Sequence, residues 1–468
     1  MRRDSILLML AILVAGCSLV PPVVTPQSGL PASFPVEATA SPDSVTAHTL
    51  DWQEFFRDAQ LRQLIGDALE NNQDLAAATA RIEQAEAQYR IQDSLRTPGL
   101  NAGMGSQRSG GPSPAGTGRA TGENHSIQIF VPAFELDFWG RLANLSESSR
   151  HQYLATVEAR QSFRLSLIGS VATAYFILRS NEDGIALAER TLDSRRETLE
   201  LARLRMDAGL TSSVVYDQSH ALVNQAETQL TQFVETRAQA LTWLRTLTGT
   251  DPEAMLAPGG NPIGQQEQLA SFATGLPSDL LSQRPDIRRA EHRLIAANAN
   301  IGVARAAYFP SISLTGSNGY ASTDLSGLFS SDTNVWSIGA NALLPLFDMG
   351  RRRAQVRVAT AGLDEREAEY RQAILNAFRE VHDGLNALQS NADRIASLER
   401  TVAVQQSLAG TAQLRYDVGL SPYLEVLDAE RGLFAAQQSL LQAQSADLRN
   451  RVNLYLALGG GEDPRDLP

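Results

Sequence analysis

The chain has 468 residues, 43% of them hydrophobic, and a formal net charge of −12 at pH 7. That length allows two or three ordinary domains with a substantial core, and the hydrophobic content excludes a disordered chain. A nucleic-acid surface needs a basic face that neutralises phosphates, so the acidic balance excludes nucleic acid as a partner.

The first segment is predicted to be a signal peptide over residues 1–16. Two arginines precede an apolar run that is too short for a permanent membrane-spanning helix, and the run ends in LVAGC. This ending resembles the bacterial lipobox, in which the cysteine thiol is lipidated. Cys17 is the only cysteine of the chain, which excludes internal disulfides. We expect a covalent lipid on Cys17 and no other cofactor; an ordinary secretory signal is the alternative.

The residues around Cys17 also predict a destination and a tether. Ser18 stands where an aspartate would retain a lipoprotein in the inner membrane, so the segment resembles lipoproteins that are sorted to the outer membrane. Residues 17–50 are rich in Pro, Ser and Thr. Such a composition favours an extended tether.

The rest of the chain is a tandem duplication. LRSNEDGIALAERT at 178–191 and LQSNADRIASLERT at 388–401 agree at nine of fourteen positions, with an offset of 210. The same offset pairs Gly209 with Gly419. Repeats are identified before elements because they determine the fold. The predicted organisation is repeat 1 over 51–249, a linker over 250–283, repeat 2 over 284–459 and a C-terminal tail over 460–468.

Each repeat changes character at a proline. Ahead of Pro98 and Pro310 the chain is rich in Ala, Arg, Glu and Gln, which predicts helices. Short alternating stretches follow, and the clearest is VWSIGANALL, with Trp336 and Ile338 on one face. A soluble hairpin gives the same alternation, but these lengths also suit bilayer-spanning strands of roughly 9 to 11 residues. Strands are predicted over about 99–109, 125–135, 311–320 and 334–344.

Four spanning strands require partners. Single-chain barrels begin at about eight strands, and an open sheet edge in lipid leaves backbone groups unpaired. Closure must then occur between subunits. Two copies give eight strands and a filled interior, whereas three give twelve and begin to open a lumen. A pore therefore favours a homotrimer.

Each repeat ends in a helical hairpin, predicted over 141–248 and 351–458. From Val171 and from Val381 onward, apolar residues recur alternately three and four positions apart, which is the spacing of a coiled-coil seam. Residues 141–208 contain no proline, and a continuous helix of that length measures about 100 Å. An elongated coiled-coil stalk and a helical cylinder continuing a barrel both satisfy this pattern.

Residues that carry chemistry are scarce. GPSPAGTGRATG lacks the lysine of a phosphate-binding loop, which favours an exposed loop, and no hydrolase or metalloprotease motif is present. We expect no catalytic residues, no metal site and no enzyme activity. The histidines have neither metal-ligand spacing nor equivalents in the other repeat; they are His48, His125, His151, His220, His292 and His382.

Four segments resemble the outer-membrane efflux factor family, which is TolC-like, and within it the NodT-type lipoproteins. They are QRPDIRRAE within 280–317, FDMGRRR within 344–359, ELDFWGRLANLSESSR at 135–150 and the paired DAGL and DVGL turns. The resemblance covers the chain after the tether. It implies a mainly α fold with membrane β structure: a trimeric twelve-stranded β-barrel with four strands per subunit, a periplasmic α-barrel of coiled-coil helices, and an equatorial collar built from 250–283 and both termini.

The resemblance also implies location and partners. Family members lie in the outer membrane of Gram-negative bacteria, extend into the periplasm and act as passive exit ducts. An inner-membrane pump, here of the RND type, supplies the energy. A periplasmic adaptor, also called a membrane fusion protein, couples the pump to the duct.

The turn of each hairpin lies, by this resemblance, at the periplasmic tip. Gly419 suits a left-handed residue after a helix, Ser421 suits an N-cap and Pro422 suits the first position of the next helix. Gly209 and Thr211 stand in the same places in repeat 1. The adaptor would dock on six tip residues: Gly209, Leu210, Thr211, Gly419, Leu420 and Ser421.

Two acids follow the second tip. The resemblance implies that Glu425 and Asp428 ring a closed periplasmic gate, with Tyr416 as a tether, while Ser421 replaces an arginine that tethers the gate in some members. Acids near a helix N-terminus also complement its dipole, so a structural role stays open. Val215 stands in the place of Glu425 in repeat 1, so the ring would come from repeat 2 alone.

These observations leave a main hypothesis and two alternatives. The main hypothesis is an outer-membrane channel of a tripartite efflux system. The alternatives are a non-conducting coiled-coil structural lipoprotein that links outer membrane and periplasm, and a type I secretion duct.

Overall fold

A computed structural model describes residues 19–22, 46–112, 116, 118–256, 262–264, 269–273 and 279–461. The predicted signal peptide, the lipidation site Cys17 and most of the predicted tether lie outside the described residues. The helices of the described part are α1 Trp52–Phe55, α2 Ala59–Asn71, α3 Gln73–Ser94, α4 Arg141–Asp207, α5 Ser213–Thr248, α6 Leu280–Gln283, α7 Pro285–Ala306, α8 Arg351–Asp417 and α9 Tyr423–Ala457. The strands are β1 Asn101–Pro112, β2 Arg119–Glu135, β3 Ser311–Ser322 and β4 Asn334–Leu343.

The chain divides into two compact units. The sheet unit comprises Met1–Gln27, Arg81–Val157 and Arg289–Gln372, and the hairpin unit comprises Ser28–Ala80, Glu158–Arg288 and Ala373–Pro468. Each unit therefore draws segments from both repeats.

The sheet unit contains one antiparallel sheet in the order β1-β2-β3-β4. Strands β1 and β2 form one hairpin and β3 and β4 another, and β2 pairs with β3 to join the two repeats. A bulge between Val131 and Phe134 shifts the register of β2 against β3. Strands β1 and β4 are consequently the two edges.

The two faces of the sheet differ in chemistry. Side chains directly opposite each other in an antiparallel pair lie on the same face, and the register places large apolar residues of all four strands together. Most of them are exposed: Trp336 to 71%, Ile338 to 81% and Met104 to 86%. The other face carries mostly small or polar residues, together with Phe130, Val335 and Leu343, and the hydroxyls of Ser317 and Ser337 lie 2.7 Å apart on it. The alternation predicted for β4 thus extends across the sheet.

The glycine-rich segment after β1 differs from the predicted exposed loop. The segment GPSPAGTGRATG covers residues 111–122, and six of these twelve residues belong to strands, because β1 continues to Pro112 and β2 already begins at Arg119. The physical reason is cross-strand pairing: Gly110 lies opposite Thr121 and Gly111 opposite Ala120, and backbone pairing does not require apolar side chains.

The segment that follows Cys17 lies against helix α7. The carbonyl of Leu19 accepts a hydrogen bond from Arg305 at 3.0 Å, and that of Pro21 accepts one from Asn298 at 2.9 Å. A Cβ on Gly302 would lie 2.5 Å from the Val20 side chain, which explains a glycine inside this helix. The described start of the predicted tether is therefore held in place.

An aromatic core anchors the hairpin unit. Phe55 stacks on Tyr455 with ring centroids 3.9 Å apart, and the Tyr455 hydroxyl donates to the Leu50 carbonyl at 2.5 Å. Asp58 caps α2 and accepts a hydrogen bond from the Tyr175 hydroxyl at 2.7 Å. Burial raises the pKa of both tyrosines, so their hydroxyls stay protonated and act as donors.

The predicted linker over 250–283 packs onto this core. Its described residues bridge to the N-terminal segment, Ala273 to Thr46 and Leu269 to Phe56. Ile263 is 1% exposed, and its amide donates to Asp183 at 2.7 Å. The linker and the N-terminal segment therefore belong to one packed structure.

Helices α4, α5, α8 and α9 supply the two helical hairpins. The predicted seam of α4 is buried at Val171, Ala174 and Leu178, because the alternating spacing keeps these side chains on one face. Asn181 interrupts the seam, and its amide donates to the Ile177 carbonyl of the same helix at 2.7 Å. Among the described residues, no helix combines the length and the hydropathy needed to cross a membrane.

Candidate functional site: the tips of the two hairpins

The turns of the two hairpins have the same backbone geometry. Gly209 and Gly419 have φ values of 71° and 76°, in the left-handed region that glycine adopts without a Cβ penalty. The amide of Leu210 donates to the Arg205 carbonyl, and the amide of Leu420 donates to the Arg415 carbonyl, both at 2.8 Å. The glycine amides donate to the Met206 and Tyr416 carbonyls, both at 2.9 Å. The two bonds of each turn form a Schellman motif that satisfies the last carbonyls of α4 and α8.

The predicted starts of the second helices were wrong by one residue. Pro422 is the N-cap of α9 instead of its first residue, and Ser212 is the N-cap of α5. Neither cap makes a side-chain capping bond. Thr211 and Ser421 lie one residue further upstream, and the buried Ser421 hydroxyl has no hydrogen-bond partner among the residues that the structure describes. The Schellman turn uses two residues after the glycine, and this moves each helix start along the chain.

The tip presents exposed leucines. Leu210 is 78% exposed and Leu420 is 72% exposed. Thr211 and Ser421 are half-buried beside them, and Gly209 and Gly419 are exposed. The six residues predicted to dock the adaptor are thus brought together as two similar turns, each with one apolar side chain facing solvent.

The two predicted gate acids lie on the exposed face of α9. Tyr423, Val426 and Leu427 face inward and pack with Leu222 and Ala412 in a buried cluster. Because a helix repeats every 3.6 residues, this leaves Glu425 and Asp428 on the opposite, exposed face.

The two acids have different partners. Asp428 pairs with Arg431 at 3.2 Å, and both side chains are mostly exposed, to 62% and 52%. Within the described part of the chain, the Glu425 carboxylate has neither a hydrogen bond nor an ion pair. In the first hairpin, Val215 packs against the buried cluster and provides no acid at the equivalent place.

A contact between the hairpins involves an arginine that the sequence analysis missed. Arg205, at the end of α4, donates a hydrogen bond to the hydroxyl of Tyr416, at the end of α8, and its guanidinium lies 5.0 Å from the centre of the tyrosine ring. Tyr416 also contacts Tyr423, with ring centroids 4.9 Å apart. The signal was present in the echo of RMDAGL and RYDVGL, which pairs Arg205 with Arg415. Only the fold selects which of the two arginines reaches the tyrosine.

A second contact that was missed lies in the sheet unit. His151 and His292 have Nδ1 atoms 3.0 Å apart, and Nε2 of His151 lies 3.1 Å from Glu147. The residues are 141 positions apart, so spacing along the chain gave no signal. In the part of the chain that the structure describes, no three His, Cys, Asp or Glu residues are grouped so that they could hold a metal ion.

These features define a duplicated helical-hairpin protein with a shared four-stranded sheet and two matched tips. A sequence model of the family described as outer membrane efflux protein matches residues 64–250 and again 276–460. The chain belongs to this family. The family model matches twice, once in each half of the chain.

Full-length relatives agree with this assignment. The chain is 39% identical over 468 residues to the solvent efflux pump outer membrane protein SrpC of Pseudomonas putida, with 98% of this chain and 99% of the relative covered. It superposes with a TM-score of 0.88 on the crystal structure of a membrane protein from Pseudomonas aeruginosa, at 35% identity, covering 95% of this chain and all of the other.

A further solved structure is the open state of the Neisseria gonorrhoeae MtrE outer membrane channel. Its TM-score is 0.86 at 33% identity, with 95% of this chain and 98% of the other covered. The protein is thus an outer-membrane efflux protein with the fold of outer-membrane channels.

Proposed function

We propose that the protein is the exit duct of a tripartite efflux system, through which substrates pass passively from a pump and adaptor across the periplasm and outer membrane. The observation that carries this proposal is the sheet. Its apolar face is exposed on β1, β2 and β4 and partly exposed on β3, and the strands have 10 to 17 residues, enough to span a bilayer.

The free edges of the sheet argue for a trimer. In lipid, unpaired N–H and C=O groups on β1 and β4 each cost several kcal/mol, so the edges pair with neighbouring copies. Three copies give a closed barrel of twelve strands with a lumen, whereas two copies give a barrel filled by side chains. The small polar face of the sheet then lines the water-filled side.

The tips supply the gate and its regulator. In a trimer, Glu425 and Asp428 of the three copies bring six carboxylates towards one axis, where they attract cations and repel each other. The Arg205–Tyr416 contact holds the second hairpin to the first and favours the closed state. Adaptor tips dock on the exposed Leu210 and Leu420 turns, break this contact and dilate the ring.

The proposed function requires two partners and an anchor. A periplasmic adaptor reaches the tips, and an RND-type pump in the inner membrane supplies the energy, because the duct has no energy source of its own. A lipid on Cys17 adds an anchor in the outer membrane. Labelling with radioactive palmitate should mark the full chain and should not mark the Cys17→Ala variant; equal labelling of both would remove the anchor from the proposal.

The central test uses the purified full-length protein in detergent and in planar lipid bilayers. We expect a trimer by light scattering, heat-dependent migration on gels and ion conductance after reconstitution. A monomer that never conducts would contradict the duct and favour a structural coiled-coil lipoprotein. The Leu420→Cys variant should cross-link in cells to the adaptor of an RND pump. Cross-linking only to the adaptor of a type I secretion system would change the assigned partner.

A further inference from the structure

A buried arginine in the hairpin unit has an unused hydrogen-bonding edge. Arg195 of α4 is 3% exposed. Its Nη1 donates to the Leu222 carbonyl at 2.8 Å, and its guanidinium lies 5.0 Å from the centre of the Phe434 ring. Its Nε and Nη2 atoms are buried and have no hydrogen-bond partner among the described residues. A buried cationic donor without a partner is costly, which makes this edge a candidate for a ligand.

The unused edge is the one that arginine uses to hold two oxygens of one anion. Nε–H and one N–H of Nη2 point in parallel and match a carboxylate or phosphate. Arg141 uses the same two atoms to hold Glu135, at 2.7 and 2.5 Å, and Arg284 uses them to hold Asp286, at 3.0 and 2.7 Å. In this chain, the edge therefore selects paired anionic oxygens.

A cavity of about 310 Å³ adjoins Arg195, bounded by α4, α8 and α9. One water occupies about 30 Å³ of liquid, so the cavity has room for a small oxoanion and its waters. Its polar lining, besides Arg195, is provided by Arg190, Thr191, Ser194, Glu430 and Gln437. Arg190, Ser194 and Gln437 can donate a hydrogen bond to an anion, whereas the Thr191 hydroxyl already donates to the Leu187 carbonyl at 2.9 Å.

Glu430 is the residue that would oppose an anion. Within the described residues it forms no ion pair with Arg195, although both line the cavity. Burial raises the pKa of Glu430, against the opposing effect of Arg195. The charged groups around it are Arg190 and Arg195 from α4 and Arg431 from α9; Arg431 pairs with Asp428.

Repeat 2 shows that the hairpin fold does not require a positive charge at the position of Arg195. Gln405 of α8 is the equivalent of Arg195, and Gly432 is the equivalent of Leu222. A Cβ on Gly432 would lie 2.8 Å from Gln405 Oε1, so the glutamine also reaches towards the second helix of its hairpin. A neutral amide thus serves this packing position in repeat 2, whereas repeat 1 places a full positive charge there.

We propose that the Nε–Nη2 edge of Arg195 and the polar lining of this cavity bind a small oxoanion, for which inorganic phosphate is the probe. Such an anion would contact α4 of the first hairpin and α9 of the second. The proposal concerns binding alone and does not depend on conductance.

Binding of radioactive inorganic phosphate to the detergent-solubilised full chain is measured by equilibrium dialysis. Chloride is added to keep the ionic strength constant. We expect saturable binding of one phosphate per chain. Arg195→Gln should weaken it at least about tenfold, because a charge-assisted bidentate contact is lost. Arg196→Gln is the matched control. It removes the same charge one residue along, from an exposed arginine paired with Glu227 at 2.7 Å, and should leave binding unchanged.

A second variant tests whether Arg195 binds an external anion or serves only as the counterion of Glu430. Glu430→Gln removes the opposing carboxylate, so phosphate should bind several-fold more tightly at neutral pH. Unchanged or weaker binding in this variant would overturn the proposal, even if Arg195→Gln fails to fold. Absence of saturable binding in the unmodified chain, or equal losses in the Arg195 and Arg196 variants, would overturn it as well.

Discussion

The first and second hairpins are built on the same turn but differ in the side chains around it. Both end their first helix in a Schellman motif around a left-handed glycine, with an exposed leucine directly after it. The second hairpin alone carries Tyr416 and the acids at 425 and 428, and the first alone carries the buried Arg195. Duplication therefore supplied the backbone, and single-residue differences between the copies supply the candidate gate and the candidate anion site.

The largest effect is expected from breaking the contact between Arg205 and Tyr416, which joins the two hairpins. A hydrogen bond with a charged partner contributes about 1.5 to 3 kcal/mol, so Arg205→Ala or Tyr416→Phe should raise the resting open fraction about tenfold or more. Single-channel recording in planar bilayers measures this. Arg415→Ala is the matched control, because it removes the equivalent arginine from the other copy. An equal increase in the control would show that Arg205 has no special role.

The second prediction concerns the feature that both hairpins share. Gly209→Ala and Gly419→Ala should each destabilise the protein by about 1 to 2 kcal/mol, because a residue with a Cβ is strained in the left-handed region. A Cβ at either position meets nothing within 4 Å, so the two effects should be equal. Thermal unfolding followed by circular dichroism measures them.

A helical glycine in open space provides the control for that pair. Gly410 lies inside α8, and a Cβ there also meets nothing within 4 Å. Gly410→Ala should stabilise the protein by up to about 1 kcal/mol, because alanine is the better helix former. A large difference between the two turn variants would mean that the tips are not structurally equivalent.

The third prediction tests the acids that distinguish the second hairpin. Glu425→Gln combined with Asp428→Asn should lower the ratio of cation to anion permeability about two- to fivefold, because exposed charges contribute up to about 1 kcal/mol. Reversal potentials in a salt gradient measure this ratio, and block by multivalent cations should weaken in parallel. Asp217→Asn, at an exposed acid of α5 in the first hairpin, should leave the ratio unchanged. Unchanged selectivity in the double variant would remove these acids from the gate.

The smallest expected effect is at the ion pair of Asp428 and Arg431. Both side chains are more than half exposed, so solvent screens the pair and Arg431→Gln should cost less than about 1 kcal/mol of stability. Cation selectivity should rise slightly, since the charge on Asp428 loses its partner. A marked fall in thermal stability would indicate that the pair is structurally important and would weaken the interpretation of Asp428 as a gate charge.

The sequence predicted the parts of the fold that local patterns encode. The family and the mainly α fold with four strands are confirmed by the comparisons and the described elements. The long hairpin helices follow from seam spacing and the absence of proline, and the turn glycines follow from their left-handed positions. The predicted starts of the second helices at the tips were wrong by one residue, because the position of the N-cap depends on the number of residues in the turn.

The contacts between distant residues came only from the tertiary structure. Arg205 and Tyr416 are 211 positions apart, and nothing in the two similar turns says which arginine meets the tyrosine. Arg195 falls at the coiled-coil spacing that begins at Val171, so the sequence predicted only that it faces the seam. That two of its guanidinium nitrogens are buried without a partner among the described residues became evident only in the structure. A periodic pattern specifies which face of a helix is buried, since it depends on backbone geometry alone. Which side chain lies opposite depends on how separate helices pack, and that is decided by the whole fold.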